Sequence, residues 1–278
     1  MSVDNFIPKL WSAKIQDRLT YGSLLTGIVN RSFEGTLSYG NELTVAGMED
    51  VKVKNLDSNG ATITYDDIAT TVDTFKIDQK KYAAIKITNI DQVQVASNGP
   101  GGDSLINKFS ANMATAILED QEEFLHAQLV AGDATPASGT VGTFAEAWDA
   151  ILDINQHLTE KKTPREGRIL VVNPKFEKVL LSDQSKLTAV DTAGDSNGLR
   201  NATIGQLAGF RVVVSPYLDN TKALAVGFTP DALSFASQIE RTEALVSENS
   251  FSDLLRVLHV YGGKVMQPGK VRVFKATA

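Results

Sequence analysis

Apolar residues recur every fourth position near the start of the chain, at Ile7, Trp11, Ile15 and Leu19. That spacing predicts an amphipathic helix, with Pro8 suited to its first turn and "TYGS" at 20–23 ending it. So short a helix is marginal alone, so it must pack either on its own core or on a neighbouring copy. Across 35–90 the period changes to two. "VKVKNL" alternates apolar and basic residues, "DSNG" at 57–60 signals a turn, and Asn59-Gly60 suits positive φ. Phe75 and Ile77 share one face, as do Ile85 and Ile87 further on. As one extended segment, 71–88 would span about 55 Å at roughly 3.3 Å per residue, more than one compact domain can cover. As two ordinary strands it would break near "DQKK".

The loop "NGPGGDS" leads into a predicted helix over 105–130, with Leu105, Phe109, Met113, Ile117 and Phe124 along one stripe. At 1.5 Å per residue it is about 40 Å long. "AGDATPASGTVG" ends it and marks a boundary. Helix and strand then alternate. "TFAE" is a capping box of Thr143 and Glu146 opening a helix through Trp148, Ile151 and Leu158. "RILVVNP" is a short buried strand, after which Asn173 caps and Pro174 begins a further helix. "DTAGDSNGLRNAT" at 191–203 is a polar loop. Strands are expected at "FRVVVS", "ALAVGF", "ALSFASQ", "DLLRVLHVYGGKV" and "VRVFKA".

Composition narrows the function classes. The chain has 278 residues, 42% hydrophobic, enough for one large domain or two ordinary ones. A net charge of −6 opposes non-specific nucleic-acid binding. The absence of cysteine removes thiol catalysis and thiolate metal sites. Asp4 and Pro8 break any signal-peptide pattern, and no stretch approaches a membrane span, so a soluble product is expected.

Candidate chemistry is sparse. His126, His157 and His259 share no ligand spacing. Glu119, Asp120, Glu122 and Glu123 gather near His126, but a single Glu-x-x-His pair reads as a solvated charged helix face. No nucleophile elbow, Walker loop or Gly-x-Gly-x-x-Gly is present. "IGQLAGFRVVVSP" places its glycines before a strand, the reverse of a phosphate loop. It can form at most a short helical turn ending at Gly209, where positive φ is cheap, and Gly205 and Gly209 are expected as structural turn residues. No catalytic, cofactor or metal site is therefore expected.

The ordered series "FIPKLWSAKIQDRL", "IVNRSFEG", "YGNELTV", "ITYDDI", "FKIDQKKYAAIKI", "RILVVNPKFEKVLL", "IGQLAGFRVVVSPYL" and "VYGGKVMQPGKVRVF" resembles major capsid proteins of tailed double-stranded DNA phages. These have the HK97-like fold, and the chain resembles the coat-protein group near the gene-5-type coats. The resemblance implies an α+β layout. An N-terminal arm would cover 1–35 and an extended β-hairpin, the E-loop, 36–82. A peripheral domain with a long spine helix would take 83–142 and 251–278, and an axial α/β domain 143–250.

The implied function is self-assembly into an icosahedral virion shell around DNA, without sequence-specific DNA binding and without a membrane. Hexamers and pentamers of the chain itself are the implied capsomers. The partners would be scaffolding and portal proteins, with a decoration protein as a further possibility, and assembly would take place in the host cytoplasm. Because the chain starts directly at the arm, the scaffolding protein is expected to be separate. Intersubunit contacts are expected at Phe6, Ile7, Trp11 and Ile15 on the arm, at Asp57, Ser58, Asn59 and Gly60 on the hairpin tip, and at Asp195 and Asn197 in the polar loop. The alternatives are an encapsulin-type compartment shell, or an α/β enzyme or binding protein.

Overall fold

The computed structural model describes residues 24–33, 42–48, 70–88, 105–182 and 205–277. Strands β1 (Glu42–Met48) and β2 (Thr70–Lys76) form an antiparallel hairpin in which Glu42 faces Lys76 and Met48 faces Thr70. Strand β3 (Gln79–Thr88) belongs to another sheet. The continuous-strand reading of 71–88 is therefore corrected: the chain breaks at Ile77–Asp78, just before "QKK". The sheets change there.

Helix α1 (Leu105–Ala131) follows, then β4 (Ala137–Gly139) and α2 (Phe144–Glu160). The Thr143 hydroxyl and the Glu146 carboxylate cap α2 reciprocally, as the sequence predicts. Next come β5 (Ile169–Val172) and α3 (Pro174–Leu180), the latter capped by Asn173, whose Oδ1 accepts from the Phe176 amide at 2.9 Å. The remaining strands are β6 (Gln206–Leu207), β7 (Phe210–Val214), β8 (Leu224–Phe228), β9 (Leu233–Val246), β10 (Ser252–Val265) and β11 (Val271–Ala276).

Two larger sheets organise the chain. One is three-stranded, in the order β3-β10-β9, and the other six-stranded, in the order β4-β11-β8-β5-β7-β6. The C-terminal strands divide between the two sheets. β9 pairs with β10 in the three-stranded sheet, and β11 pairs with β8 in the six-stranded one. The reason is local: a short connection at 247–251 returns β9 onto β10 as a hairpin, while the turn at Pro268–Lys270 redirects the last strand.

The run "ILVV" is apolar throughout because β5 is covered on both faces. Ile169 and Val171 join a core with Leu125, Leu129, Val226 and Phe228. Leu170 and Val172 join a second core with Ile151, Ile154, Leu158 and Phe176 of α2 and α3. α1 touches both sheets. Met113 and Ile117 pack with Leu255 and Val257 of β10, while Leu125 and Leu129 enter the six-stranded core.

"IGQLAG" does not form a helical turn. Leu207 pairs with Phe210 across a two-residue hairpin loop, with Ala208 at φ 49° and Gly209 at φ 83°. Two left-handed positions match the right-handed twist of the flanking strands. Gly205 has no positive φ and has open space where a Cβ would stand. Gly209→Val is expected to cost about 1–2 kcal/mol, and Gly205→Ala almost nothing. Thermal unfolding of the two variants checks the contrast.

Candidate functional site

Three features place the parts of this chain that reach beyond its own core. The first is a clamp on α1. Its buried stripe runs through Met113, Ala114, Ile117, Leu118, Gln121, Glu122, Leu125, His126 and Leu129. The solvated-face expectation therefore fails for two residues, since Glu122 and His126 are 0% and 1% exposed. Glu122 accepts hydrogen bonds from the Leu25 amide at 3.0 Å, the Thr26 amide at 3.1 Å and the Thr26 hydroxyl at 2.8 Å. It caps a turn closed by the Val29 amide on the Leu25 carbonyl, and Leu25 and Val29 drop into the core beside it. The His126 Nδ1–H donates to the Glu122 carbonyl at 2.6 Å. Burial pushes the His126 imidazole below its usual pKa, against the opposing pull of Glu122. The strand edge holds the next residues: Asn30 donates to the Leu233 carbonyl and accepts from the Phe235 amide. The chain is thus tied to α1 at Leu25–Thr26.

The second feature is the root of the β1–β2 hairpin. Phe75 and Ile77 are buried with Ala236 and Val260, and Phe33 lies 6.0 Å from Phe75 between ring centres. The Lys264 ammonium donates to the Asp73 carboxylate, and to the Thr74 carbonyl at 3.0 Å. The junction of β2 and β3 passes directly over Gly262. A Cβ there would press on the Lys76 carbonyl and stand 2.8 Å from the Ile77 Cα. Only glycine admits that crossing.

The third feature is a set of separate exposed apolar side chains on the three-stranded sheet and the β9–β10 tip. Phe251 is 89% exposed, Tyr82 79% and Val246 72%. The β9–β10 tip that carries Phe251 and Val246 is fixed by its own bonds. The Ser247 amide donates to the Ser252 carbonyl at 2.9 Å, and the Ser250 hydroxyl meets those of Ser247 and Ser252. Arg241 and Arg256 both engage Glu243 near Tyr82. Exposed apolar side chains on a stiff hairpin mark an interaction surface.

Beneath this sheet lies a buried polar row. The Gln121 amide meets the His259 ring at 3.1 Å, and the Tyr261 phenol donates to Asp120. Burial pulls the His259 pKa down to about 4. Because its folded pKa is depressed, His259 stays neutral in the fold while the unfolded chain takes up a proton. The associated stability is present above about pH 6.5 and is lost as pH falls toward 4, roughly 3 kcal/mol in all. Urea midpoints measured from pH 7 to pH 4 are expected to fall, with a shallower fall for His259→Phe.

The intersubunit residues expected from sequence, Phe6, Ile7, Trp11, Ile15, Asp57, Ser58, Asn59, Gly60, Asp195 and Asn197, lie outside the described residues. Sequence reasoning missed the Glu122 clamp, Gly262 and Phe251. Among the described residues, no group of three or more His, Asp or Glu side chains could hold a metal ion. Also among these residues, no helix is long and apolar enough to cross a membrane.

Comparison with known proteins places this architecture. The family model for phage capsid protein matches residues 71–273. A solved structure from Mycobacterium phage Che8 is 37% identical, covers 91% of each chain, and superposes with a TM-score of 0.81. The capsid of cyanophage P-SCSP1u shares the fold at 14% identity and TM-score 0.74, covering 92% of this chain and 88% of that one. A virus-like particle from Pyrococcus furiosus does so at 14% identity and TM-score 0.60, covering 97% and 99%. No curated protein matches. The fold is that of the HK97-like shell proteins. The chain belongs to the phage capsid protein family: it is a major capsid protein, and its copies form the head shell. The readings as a compartment shell or a small-molecule enzyme are not favoured.

Proposed function

We propose that copies of this chain close the shell as hexamers and pentamers through three extensions: the N-terminal arm, the β1–β2 hairpin and the β9–β10 tip. In this reading the arm spans 1–35, the hairpin is the E-loop, and the two larger sheets anchor the peripheral and axial domains. The observation that carries it is the anchoring. The chain is pinned at Leu25–Thr26 by Glu122, and at Phe75–Ile77 by Gly262 and Lys264, so both extensions leave from rigid bases. Rigid bases lower the ordering cost of each intersubunit contact, and many weak contacts multiply by avidity.

A separate scaffolding protein and a portal protein are the proposed partners in assembly, in the host cytoplasm, with a decoration protein as an optional addition to the finished shell. The net charge of −6 supports a wall that encloses DNA without adhering to it. Phe251→Asp tests the tip. It should leave thermal unfolding of the isolated chain within about 0.5 kcal/mol of wild type, as exposed substitutions do, and should prevent shell formation in electron micrographs. Normal shells from Phe251→Asp would remove the tip from the proposal.

A further inference from the structure

The three-stranded sheet packs against α1 through Leu255 and Val257. Alternate residues point the other way. On that outer face the register aligns Lys86 with Leu254 and Leu245, Ala84 with Arg256 and Glu243, and Tyr82 with Leu258 and Arg241. Lys80 follows opposite Val260, where the root of the β1–β2 hairpin begins. Lys80, Tyr82, Ala84 and Lys86 are all exposed. Among its described side chains the face sets four cations, Lys80, Lys86, Arg241 and Arg256, against the single carboxylate of Glu243, on a chain of net charge −6. Both arginines share Glu243, and Lys80 and Lys86 have no ion pair among the described residues. Tyr82, Ala84 and Leu258 line a hollow of about 530 Å³ in the middle.

Helix α2 carries the converse surface. Its exposed stripe is Asp149, Leu152, Asp153, Gln156 and Glu160, spaced by three and four. Leu152 is 42% exposed, and among the described residues it is the one exposed large apolar side chain away from the three-stranded sheet and the β9–β10 tip. Asp149 and Asp153 have no ion pair among the described residues, and Glu160 accepts from the neutral Gln156 amide at 2.8 Å. Arg165 borders the stripe beside Leu152 and Glu160, and Lys161 and Lys162 lie past the helix end, so the acidic part is the run from Asp149 to Asp153. The carboxylates span about 16 Å along the helix, and Lys80 to Lys86 span about 20 Å along β3. A helix about 10–12 Å across covers three strands set about 4.8 Å apart. We infer that the α2 stripe of a second copy lies along this sheet face, with Leu152 on the hollow beside Tyr82 and the Asp149 and Asp153 carboxylates on the Lys80 and Lys86 ammoniums. An apolar centre inside a charged rim is the make-up of a specific interface. The two faces differ, so the contact runs head to tail, and repeated copies close a ring. This inference rests on the shell reading above and adds one of its contacts.

Charge reversal tests the pairing. Lys80→Glu with Lys86→Glu, and separately Asp149→Lys with Asp153→Lys, change exposed side chains and should leave thermal unfolding as in wild type. Each pair should lower the yield of shells about tenfold or more, because like charges then face each other. The quadruple variant reverses both sides of every contact and should restore assembly. Normal shells from either pair, or no recovery in the quadruple variant, would overturn the inference while leaving the shell reading intact. Should a variant not fold, carbodiimide cross-linking of shells built from labelled and unlabelled wild-type chains decides. It joins a lysine directly to a carboxylate, so links between copies from Lys80 or Lys86 to Asp149 or Asp153 are expected. Links from those lysines to other carboxylates alone, or none, overturn the docking. Retention of duplex DNA that depends on Lys80 and Lys86, without such links, would give the face to nucleic acid and equally overturn it. Failure of the unaltered chain to form shells would sink the shell reading, and this contact with it.

Discussion

Glu122→Ala is expected to destabilise the chain by about 3–5 kcal/mol and to abolish shell formation. The carboxylate is the acceptor for two backbone amides and one hydroxyl of the segment at Leu25–Thr26, all buried. Alanine leaves those donors unsatisfied and opens a void beside Leu25, which is fully buried. Glu122→Gln keeps one acceptor oxygen but turns an NH₂ toward the remaining donors, so it should recover only part of the loss. Hydrogen exchange at the Leu25 and Thr26 amides, followed with thermal unfolding, separates the local release from a global effect. Protection of both amides unchanged in Glu122→Ala would remove the clamp from the account.

Gly262→Ala carries the second large effect. The added methyl meets backbone atoms, the Lys76 carbonyl and the Ile77 Cα at 2.8 Å, which cannot swing aside as a side chain could. Overpacking of this kind costs about 1–3 kcal/mol, here at the upper end, and should lower the melting temperature by about 5–10 °C. Assembly should suffer more than stability. The chain can relieve the clash by lifting the β2–β3 junction, and that re-aims the hairpin. Gly262→Ala is therefore expected to give irregular aggregates or free subunits where wild type gives closed shells. Gly209→Ala, strained at φ 83° but remote from this crossing, should still assemble.

The fold was legible where the local pattern and the tertiary demand agree. The capping box at Thr143 and Glu146, the Asn173-Pro174 start of α3 and the doubly buried "ILVV" strand all follow from short-range chemistry. Pairing between distant segments left weaker traces. Nothing in "ALSFASQ" says that β9 joins β10 rather than the strands before it, because that depends on which edge the hairpin finds. The break at Ile77–Asp78 carries no glycine or proline of its own. The device that permits it is Gly262, far along the chain.

The assembly residues divide in the same way. A run of Glu and His on a helix reads as solvated, and three of its five members, Glu119, Asp120 and Glu123, do stay out of the core. What buries Glu122 is a set of backbone donors at Leu25 and Thr26, 96 to 97 residues away, and no side-chain motif announces backbone donors. No sequence motif singles out Phe251. Its exposure comes from its place at the tip of a hairpin whose serines close the turn on themselves.

The central claim is that this chain builds a closed shell. Electron microscopy of the expressed protein, alone and with the proposed scaffolding partner, addresses that claim directly. The account predicts closed icosahedral particles of uniform diameter made of this chain. A folded protein that stays monomeric under both conditions, at high concentration, would contradict it.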